Sequence, residues 1–497
     1  MAKWVVSNPA CRTILDPAVG LGIFFRAILK LNRRADYDLV GYDVDPTILE
    51  AAEPLFKTSD GPNVRFINKD YLFNGWSQRY DGIICNPPYF KFQDYVNRAA
   101  GLEEFKSRLG MSLSGFTNIY SMFILKSVSQ LSPGGRAAYL VPFEFLNADY
   151  GTIIKKHLLE SKALRHVILF NSSENVFRNA LTTSCILLFA NDENSQSVTF
   201  INAQNAEDLQ ALSAPLARYP ERVEAGKQIR SSDLDPGVKW KTYYGKQSGE
   251  AYRNLVPLGT YAKIVRGIAT GDNAYFTFDE GKKARHGIAD RHLLPCLTKS
   301  AHARSNFFTH DDFETLRSKG NRVFLLNAVD LTDEAVRRYV EAGVEAGVDK
   351  KYLTSHRSPW HTPENRPPAP LLVTVFNRHG LRFVRNEAGV RNLTCFHSVY
   401  PNLFASAKLD LLTAYLLTNV AQKIFKDSCR EYGGGLNKFE PNDLNGASVV
   451  NLDAVDSATG RLVRQIYRDY RASVTGSRPD AGALAKLDDI FLNILAK

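Results

Sequence analysis

Asn86-Pro87-Pro88-Tyr89 is the stretch of this chain best equipped for chemistry. It follows the apolar run Gly82-Ile83-Ile84-Cys85, which reads as a buried parallel strand entering a tight polar turn. Two prolines fix φ and remove two N–H donors, so the turn is stiff and its carbonyls are expected to face outward. Asn86 Oδ1 and the Pro87 carbonyl then form two acceptors beside the Tyr89 ring. A planar exocyclic amine needs such a place: it has two hydrogens to be held, and the base that carries it has a face to be stacked.

Three further segments belong with this turn because each closes a strand. Asp16-Pro17-Ala18-Val19-Gly20-Leu21-Gly22 follows the strand Thr13–Asp16. Its glycines let backbone approach a ligand at the carboxyl edge of a parallel sheet. Asp43 ends the strand 38–43, where a carboxylate can accept from both ribose hydroxyls. Capping of the next helix is the plainer role for Asp43, and Asp45 could fill it equally well. Asp70-Tyr71 follows the strand 64–67 and is suited to an adenine amine and face, although taken alone Asp70 reads as a cap.

The elements that must position these residues alternate in the βα manner of a parallel sheet through residue 190. A helix spans 23–31. A second, through Ile119 to Leu131, is expected to stop at Ser132-Pro133-Gly134-Gly135. Strands follow at 137–142, 166–170 and 183–189. Residues 191–250 are polar, with one mixed apolar stretch near 198–201, and read as a trailing subdomain and connector. Past residue 255 the chain is rich in Arg, His, aromatics and Pro, so the boundary falls near 250.

At 497 residues, two or three domains are expected. No apolar run reaches the ~20 residues of a membrane span. The six cysteines are scattered without a C-x-x-C pair, which argues against structural zinc and disulfides and fits a reducing cytoplasm. The net charge of +10 is uneven: residues 1–250 hold 28 Lys+Arg against 26 Asp+Glu, the remainder 34 against 26. A basic second half fits a polyanion partner, and equally a solvated basic surface. Arg266, Arg304, Arg357, Arg378 and Lys438 are its candidate contacts.

In combination, these segments resemble the γ class of DNA amino-methyltransferases, the TaqI-like adenine-N6 enzymes of restriction–modification systems. Asp16 to Gly22, Asp43, Asp70-Tyr71 and Asn86 to Tyr89 look like the first four motifs of that family, in order. Asn118-Ile119-Tyr120 and Gly134-Gly135-Arg136 through Val141-Pro142 look like the next two. Asn175-Val176-Phe177 stands where the family places an aromatic against an extruded base; a core role is the alternative for Phe177. Gly267 to Phe276 and Gly433 to Pro441 look like the opening and closing segments of the target-recognition domain in larger relatives.

The resemblance implies an α/β fold: a class I, Rossmann-like, mostly parallel sheet in residues 1–250, followed by a mixed α+β target-recognition domain in 251–497. It implies S-adenosyl-L-methionine held by Asp16, Pro17, Ala18, Gly20, Gly22, Asp43, Val44, Asp70, Tyr71 and Asn86. Asn86, Pro87, Tyr89 and Phe177 are the implied catalytic residues, and no metal is expected. The implied partner is double-stranded DNA, with room for a separately encoded restriction endonuclease, no membrane, and a monomeric protein. An rRNA base methyltransferase and a non-catalytic DNA-binding subunit are the competing readings. The family also carries a Thr-Pro segment ahead of the first strand, enclosing the methionine end of the cofactor. Only Met1 to Asn8 precedes that region here, so a shortened enclosure or an upstream start is expected.

Overall fold

Aliphatic runs form the central strands of a nine-stranded sheet whose two edge strands are more polar. The computed structural model describes residues 1–497 except 32–35, 58–61, 91–94, 114–116, 149, 171–183, 246–247, 379, 433–435 and 497. Phe177 and the Gly433 to Gly435 run lie outside the described residues. The chain divides into two compact units, Met1–Lys246 with Glu431–Gly435, and Gln247–Arg430 with Leu436–Lys497.

In the first unit the strands are β1 (Thr13–Asp16), β2 (Asp38–Asp43), β3 (Asn63–Asn68), β4 (Tyr80–Cys85), β5 (Leu131–Pro142), β6 (Leu164–Phe170), β7 (Ser184–Ala190), β8 (Ser197–Ala203) and β9 (Lys227–Arg230). Their order is β3-β2-β1-β4-β5-β7-β6-β8-β9. The pairs β2–β3, β1–β2, β1–β4 and β4–β5 are parallel, and β7 runs antiparallel between β5 and β6. The carboxyl ends of β1 to β4 therefore share one edge. The chain leaves β1 for β2 on one side and returns to β4 on the other, which opens a crevice at that edge.

Two helices frame the crevice. α1 (Ile23–Leu31) buries Phe25 and Ile28. α2 (Pro46–Ala52) starts with proline at its first position and takes its cap from Asp45, whose Oδ1 accepts from Thr47 N–H at 2.9 Å. Asp43 is thereby released from the capping role the sequence left open. α3 (Ile119–Ser129) is buried at every residue from 119 to 128. A helix apolar nearly all round belongs inside a core, and α3 lies within the larger of the two clusters that cover the sheet.

Two expectations from the sequence need correction. α3 ends at Ser129, and β5 starts at Leu131, so Ser132-Pro133-Gly134-Gly135 lies inside a strand. Tyr80 opposes Leu131 and Gly82 opposes Arg136, so the breaker is accommodated as a bulge with Gly134 at φ +76°. Residues 191–246 are also not a trailing subdomain. β8 and β9 extend the main sheet, because Val198, Phe200, Ile201 and Ala203 are buried on it.

The second unit is mixed α+β. A five-stranded sheet (Ala262–Arg266, Phe396–Pro401, Leu371–Thr374, Phe383–Asn386, Phe307–Phe308) packs with the helices Ser457–Thr475 and Ala481–Ala496. A four-stranded sheet, including Leu293–Leu297 and Phe324–Leu326, has its own core.

Candidate active site

Asp16 closes β1 in full burial. Its Oδ1 accepts from Ala18 N–H at 3.2 Å, while its Oδ2 has no hydrogen-bond partner among the described residues. Burial, helped by the negative charge of Asp43, pushes this carboxyl up to about 8, against the Ala18 N–H. A buried, unpartnered carboxyl oxygen is costly unless a donor or cation arrives to meet it.

The turn after Asp16 is shaped by its glycines. Gly20 has φ +52° and donates its N–H to Asp43 Oδ2 at 3.0 Å. Gly22 has φ +70°, and a Cβ there would stand 2.6 Å from the Phe56 ring. Asp43 Oδ1 accepts from Asp45 N–H at 3.0 Å. Each Asp43 oxygen is thus fixed by one backbone donor and keeps further acceptor capacity.

A cavity of ≈ 310 Å³ opens beside these residues and is lined by Pro17, Ala18, Asp43, Val44, Lys69, Asp70, Tyr71, Asn86, Pro88, Phe90, Tyr95, Ile119 and Phe123. It brings together the ends of β1, β2, β3 and β4, within the size range of small-molecule sites, roughly 300–1,000 Å³. Its lining mixes two acids, an amide and several apolar faces. That donor set fits S-adenosylmethionine: acceptors for ribose hydroxyls and an amine, and apolar walls for an adenine; the fully buried Asp16 is not part of the lining.

Asp70 caps the single turn Tyr71–Phe73, taking Leu72 N–H on Oδ1 at 2.9 Å, and its Oδ2 accepts from the Tyr95 hydroxyl. Tyr71 lines the cavity from a buried position. It is 2% exposed, its hydroxyl donates to Gln130 and lies 2.9 Å from Ser127 Oγ, and the Lys126 ammonium is 4.1 Å from its ring centroid. Lys126 covers one face of the ring, while Tyr71 still contributes to the cavity lining. Val44, Pro88, Phe90, Ile119 and Phe123 complete the apolar wall, and of these the sequence points only to Val44 as a cofactor contact. Phe90 and Tyr95 were findable, because both follow the Asn86 turn within nine residues.

At the lip, Asn86 is exposed and Pro87 is buried. Among the described residues no donor reaches the Pro87 carbonyl. Tyr89 is 42% exposed, and its hydroxyl meets both Asn86 Oδ1 and the Leu140 carbonyl, the latter at 2.8 Å. One hydroxyl hydrogen serves only one of these acceptors at a time. Burial holds this phenol protonated well above its usual range. Its ring meets Tyr120 edge-on at 6.3 Å.

In the second unit, the segment from Gly267 pairs its polar side chains with one another and with neighbouring cations. Thr270 Oγ1 donates to Asn273 Oδ1 at 2.6 Å, Asp272 caps the turn at Tyr275 N–H, and Lys351 pairs with Asp272 at 2.6 Å. Arg357 donates to the Ala269 and Thr270 carbonyls at 2.8 and 3.1 Å, so it clamps this loop. Lys438 pairs with Glu440 and sits 5.5 Å from the exposed Phe376 ring. Arg266, Arg304 and Arg378 are exposed.

A sheet ordered 3-2-1-4-5-7-6, with its seventh strand reversed and a ligand cavity at its carboxyl edge, defines a class I methyltransferase domain. The model of the Eco57I restriction-modification methylase matches residues 42–177, and that of the C-terminal domain of type II methyltransferase M.Eco57I matches residues 247–477. Type II methyltransferase M.AccI of Acinetobacter calcoaceticus is 45% identical over 99% of this chain and 90% of its own length. Type II methyltransferase M.XamI of Xanthomonas campestris pv. amaranthicola is 24% identical over 91% and 83%. The structure of the type IIL restriction-modification enzyme MmeI in complex with DNA shares the fold at a TM-score of 0.58 and 12% identity, over 97% of this chain and 69% of that one. The chain belongs to the type II DNA methyltransferases of restriction–modification systems. The methyl donor of this family is S-adenosylmethionine. Among the described residues no helix is long and apolar enough to cross a membrane.

Proposed function

We propose that this protein methylates N6 of an adenine swung out of duplex DNA, at a site chosen by its second unit. The observation that carries this reading is the Asn86 lip: an exposed amide oxygen, already accepting a hydroxyl hydrogen, at the rim of an acid-lined cavity. S-adenosylmethionine supplies an electrophilic methyl group when bound. Asp43 would hold the ribose and Asp70 the adenine amine of the cofactor.

The remaining work falls to the lip. Asn86 Oδ1 and the Pro87 carbonyl each accept one hydrogen of the target amine. This draws the nitrogen toward tetrahedral geometry and aims its lone pair at the cavity. As the amine takes its place on Asn86, the Tyr89 hydroxyl hydrogen turns to the Leu140 carbonyl, which it already reaches. The Tyr89 ring is then free to stack on the base, a contact worth ~1–3 kcal/mol in single-strand sites. Phe177 is the proposed second stacking residue. Catalysis needs positioning and electrostatic complementarity to a cationic transition state. No base is required beforehand, because the proton becomes acidic only after transfer and then leaves to water. A target amine inside a duplex is out of reach, so the base must leave the stack.

Residues 1–250 are the catalytic part in this reading, and 251–497 the target-recognition part, acting as a monomer with phosphate contacts from exposed arginines such as Arg266, Arg304 and Arg378. Nucleoside analysis of DNA methylated by the purified protein tests it. N6-methyladenine is the expected product, and N4-methylcytosine would overturn the assignment of the target.

A further inference from the structure

Helix α3 carries a lysine where its neighbours are apolar. Lys126 is 0% exposed, and burial lowers its ammonium to about 7 against the pull of Asp70 and Glu104. A cation taken out of water is costly unless its protons find acceptors. The Nζ of Lys126 donates to the carbonyls of Tyr71 and Asn74. It also lies 4.1 Å from the Tyr71 ring centroid and 4.5 Å from that of Trp76.

Those two carbonyls bracket the turn that Asp70 caps. The turn's own bonds are all local: Phe73 N–H to the Asp70 carbonyl at 3.3 Å, Asn74 N–H to that of Tyr71 at 3.2 Å, Leu72 N–H to Asp70 Oδ1 at 2.9 Å, the Asn74 amide to the Asp70 carbonyl at 2.7 Å and the Trp76 indole to the Leu72 carbonyl at 3.0 Å. None of these ties it to the rest of the sheet domain; that grip comes from α3 and the residue after it. Ser127 Oγ meets the Tyr71 hydroxyl, and Gln130 accepts from that hydroxyl while its amide donates to the Gly75 and Gln78 carbonyls. Lys126, Ser127 and Gln130 therefore tie residues 70–78 to the core.

We propose that Lys126 is a positioning residue for cofactor binding: through the carbonyls of Tyr71 and Asn74 it fixes the turn that presents Asp70 to the cavity. The inference rests on the assignment of that cavity to S-adenosylmethionine. It separates Lys126 from Lys155, which is 1% exposed and donates to the Leu146 and Val238 carbonyls at 3.2 and 2.6 Å. Neither of those residues lines the cavity.

The test compares Lys126→Met, Gln130→Leu, Lys155→Met and Asp70→Ala in the full-length protein. It reads KM for S-adenosylmethionine, KM for DNA, kcat at saturating cofactor, and Tm. Lys126→Met and Gln130→Leu should each raise KM for S-adenosylmethionine roughly tenfold, as buried carbonyls lose their donor and the turn rearranges, with kcat and KM for DNA within about twofold of wild type. Lys155→Met should lower Tm and leave KM for S-adenosylmethionine unchanged. Should Lys126→Met not fold, Gln130→Leu carries the same readout. An unchanged KM in the variant that folds, or an equal rise in Lys155→Met, overturns the proposal. If wild type binds S-adenosylmethionine and Asp70→Ala raises KM while Lys126→Met does not, this inference alone falls. If Asp70→Ala leaves KM untouched, the assignment of the cavity falls with it.

Discussion

The Asn86–Tyr89 lip and the Gly267–Phe276 segment are both compact polar turns, yet they use their side chains in opposite ways. At the lip, Asn86 and Tyr89 are exposed, and their one mutual hydrogen bond can be exchanged for the Leu140 carbonyl. In the second segment, Thr270, Asp272 and Asn273 are held by one another and by Lys351 and Arg357. On the proposed function, the turn that meets the substrate keeps acceptor capacity in reserve. A turn that must hold a scaffold saturates its own groups. Motif strength in a sequence does not tell these uses apart.

The sharpest way to break this contrast is Asn86→Ala. Because Asn86 is exposed, the substitution should leave Tm and cofactor affinity near wild type. It should lower kcat by about 10²- to 10³-fold, in line with loss of a transition-state contact of about 3–4 kcal/mol. An Asn86→Ala protein with wild-type turnover would place the chemistry elsewhere. In the second segment, Asp272→Ala removes a cap and a salt bridge together. It should destabilise by about 1–2 kcal/mol, seen in denaturant unfolding, while calorimetric affinity for S-adenosylmethionine stays unchanged.

Asp16 gives a pH signature that belongs to the first unit alone. Its carboxyl stands at about 8 in the folded protein against an ordinary 3.8. A raised folded value means that the folded state binds the proton more tightly. The stabilisation it brings is complete below pH ~4 and is lost as pH rises through about 8. The Tm difference between wild type and Asp16→Asn, measured without ligand, should therefore move against wild type between pH 4 and 8 and flatten above. A difference independent of pH would show that the carboxyl is not buried and neutral.

The smallest expected effect is that of Tyr89→Phe. The ring and its stacking surface remain, and Asn86 Oδ1 loses the hydroxyl it holds in waiting. kcat should change by no more than about fivefold, since a neutral hydrogen bond contributes about 1 kcal/mol net. A loss as large as that of Asn86→Ala would make the phenol a participant in transfer and erase the distinction between reserve and scaffold.

Much of this was legible from residue order. The strands β1, β2 and β4 and helix α1 follow from aliphatic runs closed by Asp, Gly or Pro. The four chemistry-bearing turns could be placed on one edge because consecutive parallel strands end on the same side. The bulge at Ser132–Gly135 was not legible, since Pro and Gly break a local pattern whether or not a neighbouring strand continues past them. β9 was missed for a related reason: it pairs on one side only, so its polar composition hides its membership in the sheet, and the short apolar run of β8 stands alone among polar neighbours.

The order of residues by itself determined which groups could act: an amide between strand and prolines, acids at strand ends, glycines where φ must be positive. Those depend on covalent geometry and short-range sterics. Only the tertiary structure decided which of them are available. Asp45 took the cap and left Asp43 to the cavity, Lys126 covered one face of Tyr71, and Arg357 was drawn into holding a loop. Availability is a matter of which donor reaches which acceptor across distant parts of the chain, and a list of neighbours along the backbone does not contain it.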